Sequence, residues 1–132
     1  MFSDLDRQML RIPWTLYAGD AVNIDVTPGN DYVRTVPMPC VLLEVRTSAQ
    51  AITSGSQYVC EILKGSTVVA TMTTAVPYVA GVVVAATGLQ VQLSAGDVVT
   101  VRIRAADAGD ADDIAGLIVE ALIQALPNAP ST

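Results

Sequence analysis

Residues 89–104 read LQVQLSAGDVVTVRIR, and this stretch decides the fold class. Leu89, Val91 and Leu93 alternate with Gln90 and Gln92, then Val99, Val101 and Ile103 alternate with Thr100, Arg102 and Arg104. Ser94-Ala95-Gly96-Asp97 separates the two runs. Apolar residues at every second position, bounded by Gly and Asp, mark half-buried strands joined by a tight connection.

The same pattern extends in both directions. Trp14 to Tyr17 leads to a predicted turn at Ala18-Gly19-Asp20, after which Val22, Ile24 and Val26 alternate with polar residues up to Thr27-Pro28-Gly29-Asn30. Tyr32 to Val36 is a short strand stopped by Pro37 and Pro39, which flag an edge or a crossover because proline cannot donate to the ladder. Cys40 to Thr47 is expected to carry Val41, Leu43 and Val45 on one face, and Ser48 to Ser56 reads as a loop. Gln57–Leu63 and Thr67–Thr73 flank Lys64-Gly65-Ser66, a hairpin turn that needs positive φ. Val79–Ala85, Gly88–Leu93 and Val98–Ala105 follow. About eight short strands at close spacing predict an all-β, antiparallel, jelly-roll-like sandwich. The expected organisation is an N-terminal arm over 1–12, the sandwich over 13–126 and a loose tail over 127–132.

Residues 114–125 support two readings. Ile114, Leu117, Ile118, Ala121, Leu122 and Ala125 follow helical spacing, with Asp110 to Asp113 as capping acids. The β-branched Ile118, Val119 and Ile123 favour instead a buried strand that completes a sheet.

Composition points to a partner. The chain has 132 residues, 52% of them hydrophobic and only 15% charged, against about 25% charged in ordinary domains. A thin two-layer domain cannot hide that much apolar surface, so another chain is expected to cover some of it. The competing reading is a monomer with small apolar side chains scattered over its surface. Net charge is −6 and the seven basic residues form no cluster, which argues against nucleic acid. No apolar run reaches the ~18–20 residues of a membrane helix. The start MFSDLDRQMLRIPW lacks a signal peptide's basic and apolar regions, so synthesis in the cytoplasm is expected.

Cys40 and Cys60 are the only cysteines. If 40–47 and 57–63 pair as a hairpin, Cys60 falls opposite Glu44 and Cys40 two pairs further on. Both then face one side, beyond the ~7 Å Cα separation that a disulfide allows, and buried thiols are the default reading.

No histidine is present, and no nucleophile–base set is evident; Ser54-Gly55-Ser56 reads as loop. Asp20, Asp25, Asp31 and Glu44 have no fixed facing geometry of the kind glycoside hydrolysis needs. The expectation is therefore a non-enzyme without a cofactor. Asp107, Asp110, Asp112 and Asp113 form a weak calcium candidate, with too few matches to an EF-hand and a simpler reading as solvated loop acids. Trp14, Tyr17, Tyr32, Tyr58 and Tyr78 suit core or interface packing better than a sugar platform. The apolar arm residues Phe2, Leu5, Met9, Leu10 and Ile12, with Trp14, Arg102 and Arg104, are the interface candidates.

The Pro-preceded Cys40 strand, the Gly/Ser loop, Tyr58–Leu63 closed by Lys64-Gly65, the segment SAGDVVTVRI, the Asp/Gly/Ala-rich loop and the terminal LIVEAL follow in that order. Over residues 32–125 this order resembles small jelly-roll domains of tailed-bacteriophage virion proteins, above all capsid cement (decoration) proteins. The resemblance implies a homo-oligomer, a trimer, seated on the major capsid protein at the outside of a phage head. Tail-fibre or tail-tip modules, which the order also resembles, imply instead recognition of host surface glycans.

Overall fold

The alternating runs form ten strand segments in the computed structural model, which describes residues 11–24, 29–52, 57–75, 78–105 and 112–126. These are β1 (Arg11–Ile24), β2 (Asn30–Thr35), β3 (Cys40–Ser48), β4 (Ala51–Ile52), β5 (Tyr58–Lys64), β6 (Thr67–Thr73), β7 (Val84–Ala86), β8 (Val91–Leu93), β9 (Val98–Ala105) and β10 (Asp112–Ala125). The first sheet runs β1-β10-β3, with β7 and β8 sharing the far side of β3 and β4 beside β10. The second runs β2-β9-β5-β6.

The pairing is nested. β1 pairs with β10, β2 with β9, β3 with β7 and β8, and β5 with β6, all antiparallel. The chain is thus one long folded-back ribbon whose tip is the β5–β6 hairpin, where Gly65 supplies φ +60°. Rolling that ribbon sends successive pairs alternately to two sheets, which is a jelly roll. With β7 and β8 as one interrupted lane and β4 as a two-residue addition, the ten segments fill the eight lanes expected.

Rolling also corrects several local expectations. β3 and β5 lie in different sheets and do not pair, so Cys60 sits opposite Met72 and Ile103, and Cys40 opposite Leu93 and Ala125. Both thiols are free and buried. Ser94–Asp97 is a corner between sheets, β8 ending in the first and β9 beginning in the second. Asp97 holds that corner by accepting from Ser94 N at 2.8 Å. The corner bonds to Val36, where the chain crosses in the opposite sense between β2 and β3. The crossover flagged by Pro37 and Pro39 is therefore real.

Bulges explain the remaining differences. Ala18-Gly19-Asp20 is not a turn: β1 runs through it, with its register to β10 shifted between Gly19 and Ala21. Arg11 and Ile12 belong to the same strand, opposite Gln124 and Ile123, and residues 1–10 of the expected arm lie outside the described residues. In β3 the register slips at Leu43; Cys40, Leu42, Val45 and Thr47 face the core while Val41 and Leu43 are only half-buried. Residues 114–125 are strand. Gly116 at φ +61° interrupts their alternation, which leaves Ile114 and Leu117 both buried at a spacing that imitates a helix. Of Val79–Ala85, only Val84 and Ala85 are strand, and Ala51–Ile52 is a strand within the supposed loop. Among the described residues no helix is long and apolar enough to cross a membrane.

The core lies between the inner faces. Val99, Val101, Ile103 and Ala105 of β9 meet Leu117, Val119, Ala121 and Ile123 of β10 within one buried cluster that includes Leu42, Ile62 and Met72. Burial of each large aliphatic chain contributes about 1.5–3 kcal/mol. A polar link crosses this interior: the Tyr58 hydroxyl on β5 and the Thr47 hydroxyl on β3 are 2.9 Å apart. Tyr58 N also donates to Thr74 Oγ1 at 3.0 Å. No buried side-chain polar atom among the described residues lacks a partner, as a low-dielectric interior requires.

Two outcomes follow. A Cβ at Gly29 (φ +80°) would stand 2.7 Å from the Ile103 carbonyl oxygen, whereas one at Gly65 would meet open space. Gly65→Ala should cost about 1–2 kcal/mol, the conformational penalty alone, and Gly29→Ala distinctly more; urea titration of both variants checks this. Burial pushes the Cys60 thiol up to about 12 and also raises that of Cys40. Neither should react with a disulfide reagent in the folded protein near pH 8, and both should react at once in denaturant.

Candidate functional site

Alternation on β9 sends Thr100, Arg102 and Arg104 to the outside of the second sheet. There Arg102 faces Asp31 on one side and Glu61 on the other. Arg102 donates two hydrogen bonds to Asp31, at 2.8 and 3.1 Å, and Arg104 Nε donates to Glu61 at 2.9 Å. The Asp31 carboxyl is held below its usual range by the Arg102 hydrogen bonds, against a smaller effect of burial. Both arginines, named as interface candidates, are therefore engaged within their own chain, on a self-neutralised band.

The flank formed by β1 and β2 is also occupied. The Tyr17 and Tyr32 rings stack with centroids 3.9 Å apart. Arg34 Nε donates to the Leu16 carbonyl at 2.8 Å, and Asn30 Nδ2 to the Val22 carbonyl at 3.0 Å. Side chains of β2 thus consume backbone acceptors of β1, which is one way a protein blunts a sheet edge. Burial, with the Tyr32 hydrogen bond, pushes the Tyr17 phenol up to about 12.

The other candidates separate. Ile12 and Trp14 are half-buried on β1 and pack against the core, while Phe2, Leu5, Met9 and Leu10 lie outside the described residues, as do Asp107 and Asp110. Asp112 begins β10 and Asp113 is exposed beside it. Among the described residues no group of three acidic or cysteine side chains could hold a metal. Of the four carboxylates considered for acid–base work, Asp25 is outside the described residues. Glu44 pairs with Arg46 on the outside of the first sheet, Asp31 with Arg102 on the outside of the second, and Asp20 Oδ1 accepts from Gly116 N at 2.9 Å. These three are thus engaged with separate partners. The surface hollows are open and shallow, such as one of about 300 Å³ between Asp20, Ile52 and Ile114.

Sequence reading missed the feature that stands out in three dimensions. Val79, Val82 and Val83 are 59%, 46% and 56% exposed on the connection between β6 and β7. Ile118 on β10, 47% exposed, borders the same hollow as Val83. This connection is pinned. Gly81 N donates to the Ala49 carbonyl at 2.9 Å, and the Tyr78 hydroxyl accepts from Ala49 N at 2.7 Å. Tyr78 in turn packs tilted on Tyr58, at 5.7 Å between ring centres. Expecting a strand over 79–85 hid these valines, because alternation would have turned half of them inward.

No family model matches the chain, and no curated protein matches it. Among solved structures, a β-glucosidase from Paenibacillus barengoltzii is similar at 16% identity and a TM-score of 0.40. The match covers 77% of this chain and 10% of that one. The chain spans about a tenth of that enzyme's length, and so loose a likeness carries no argument about activity.

The pairing of Asp31 sets one pH effect. A carboxyl whose value is lowered on folding contributes stability that is complete above its unfolded value and is lost as pH falls through the folded one. Asp31→Asn should therefore lower stability slightly near neutrality, where the pairing contributes in full, and the difference from wild type should vanish as pH falls below about 4, as thermal melts across pH would read.

Proposed function

We propose that this chain is a structural virion protein, a cement or decoration protein that binds the outside of a phage head as an oligomer and stabilises the shell. One observation carries the reading: a jelly roll holds large apolar side chains out on a pinned connection, while the charged pairs and aromatic rings on its described surface are engaged internally. Exposed, preorganised apolar side chains serve association between proteins, because little further ordering is required on contact. Repetition on a lattice then multiplies modest contacts by avidity. The trimer, the major capsid protein as partner and the virion as location come from the family resemblance. Recognition of glycans by a tail-tip module finds less support. Tyr17 and Tyr32 cover each other's faces, Tyr58 is buried and the Tyr78 hydroxyl is bonded to Ala49.

Immunoelectron microscopy of purified particles, with an antibody to this chain, tests the proposal. Label over the heads is expected, together with heads that leak on heating when the chain is depleted. Label confined to the tail tip, or none, would overturn it.

A further inference from the structure

The distribution of charge along the chain has a consequence in space. From Gly65 to Gly96 no residue is charged; all 7 basic and all 13 acidic residues lie outside that run. The run contains β6, the pinned connection, β7 and β8, and β6 and β7 lie side by side along one flank of the sandwich. The opposite flank carries Arg11, Asp20, Asp31 and Arg34, has Pro13 and three register shifts in β1, and is stitched by side chains of β2.

Strand β6, TVVATMT, is the outer strand of its sheet and bears no charge and no proline. A register shift at its start is its one blunting device. Among the described residues no side chain bonds to its outer backbone. Uncapped, uncharged edges of this kind accept further polypeptide.

We infer that the β6–β7 flank, crested by Val79, Val82 and Val83, is the surface through which copies of this chain associate. The occupant follows from charge. A chain of net charge −6 repels its own copies least where its charge is sparse; β6, the connection and β7 carry none, and the charges beside Val83, Arg46 and Glu120, are of opposite sign. With those two charges balanced, it has no net charge to steer an oppositely charged partner. Fixing the crest through Ala49 and Tyr78 removes much of the ordering cost before contact. The inference deepens the oligomeric part of the proposed function and does not need its capsid part.

Sedimentation of the full chain over a wide concentration range tests it without any capsid. The wild type should form a discrete oligomer. Val79→Asp with Val83→Asp should weaken association about a hundredfold or more while the circular-dichroism spectrum is retained. Val33→Asp, 62% exposed on the second sheet and away from this flank, should leave association intact. Should the double variant fail to fold, hydrogen exchange of the wild type decides: residues 67–73 and 78–86 should gain protection as concentration rises. A wild type that stays monomeric, dissociation by Val33→Asp alone, or protection gained on the β1–β2 flank instead, would each overturn the inference. An oligomer built through this flank that never labels phage heads would sink the capsid reading and leave this one standing.

Discussion

Everything in this molecule depends on the insertion of the last strand between the first and the third. β10 pairs with β1 on one side and β3 on the other, and its inward residues Ile114, Leu117, Val119, Ala121 and Ile123 supply the middle of the core. Until it arrives, β3 lacks its inner partner and the second sheet has no complete opposing layer. The nested pairing makes this the most distant contact in the chain, closing over nearly its whole length. Closing so long a loop costs entropy before the hydrophobic return is collected, and the fold meets that cost with long strands and an almost wholly aliphatic interior.

An aliphatic interior by itself tolerates sliding, because apolar contacts have little direction. Two kinds of polar device fix the register. The Thr47–Tyr58 bond ties the two sheets at one point inside, and the desolvation cost of leaving either hydroxyl unpaired penalises any shifted arrangement. Outside, Asp31, Arg102 and Glu61 face one another across three neighbouring strands. Such exposed pairs add little stability, but they sit correctly in one register only.

The two flanks of the sandwich are treated differently. Rolling a ribbon into two sheets leaves four edge lanes, two on each side. Tyr17, Tyr32, Asn30 and Arg34 close one side. Nothing comparable closes the other among the described residues, where valines are instead held outward by bonds to Ala49. A surface both apolar and rigid is costly to leave in water, and that cost is the driving force of the association proposed above.

Much of this was legible in the sequence. Alternation in Val98–Ala105 and around Lys64-Gly65 determined strands and a hairpin, because a period of two and a positive-φ turn are local properties of the backbone. The prolines before Cys40 marked an edge or a crossover for the same reason. Absence of charge between Gly65 and Gly96 was equally available, though periodicity gives it no weight. Tertiary structure alone decided which strands pair, since β3 could meet β5 or β10 with equal local merit and only burial of both inner faces selects β10. It alone decided the bulges at Leu43 and Gly116, which re-aim side chains where two curved sheets must fit. And it alone placed Val79, Val82 and Val83 outside, because whether an apolar residue is buried depends on what the rest of the chain brings to cover it.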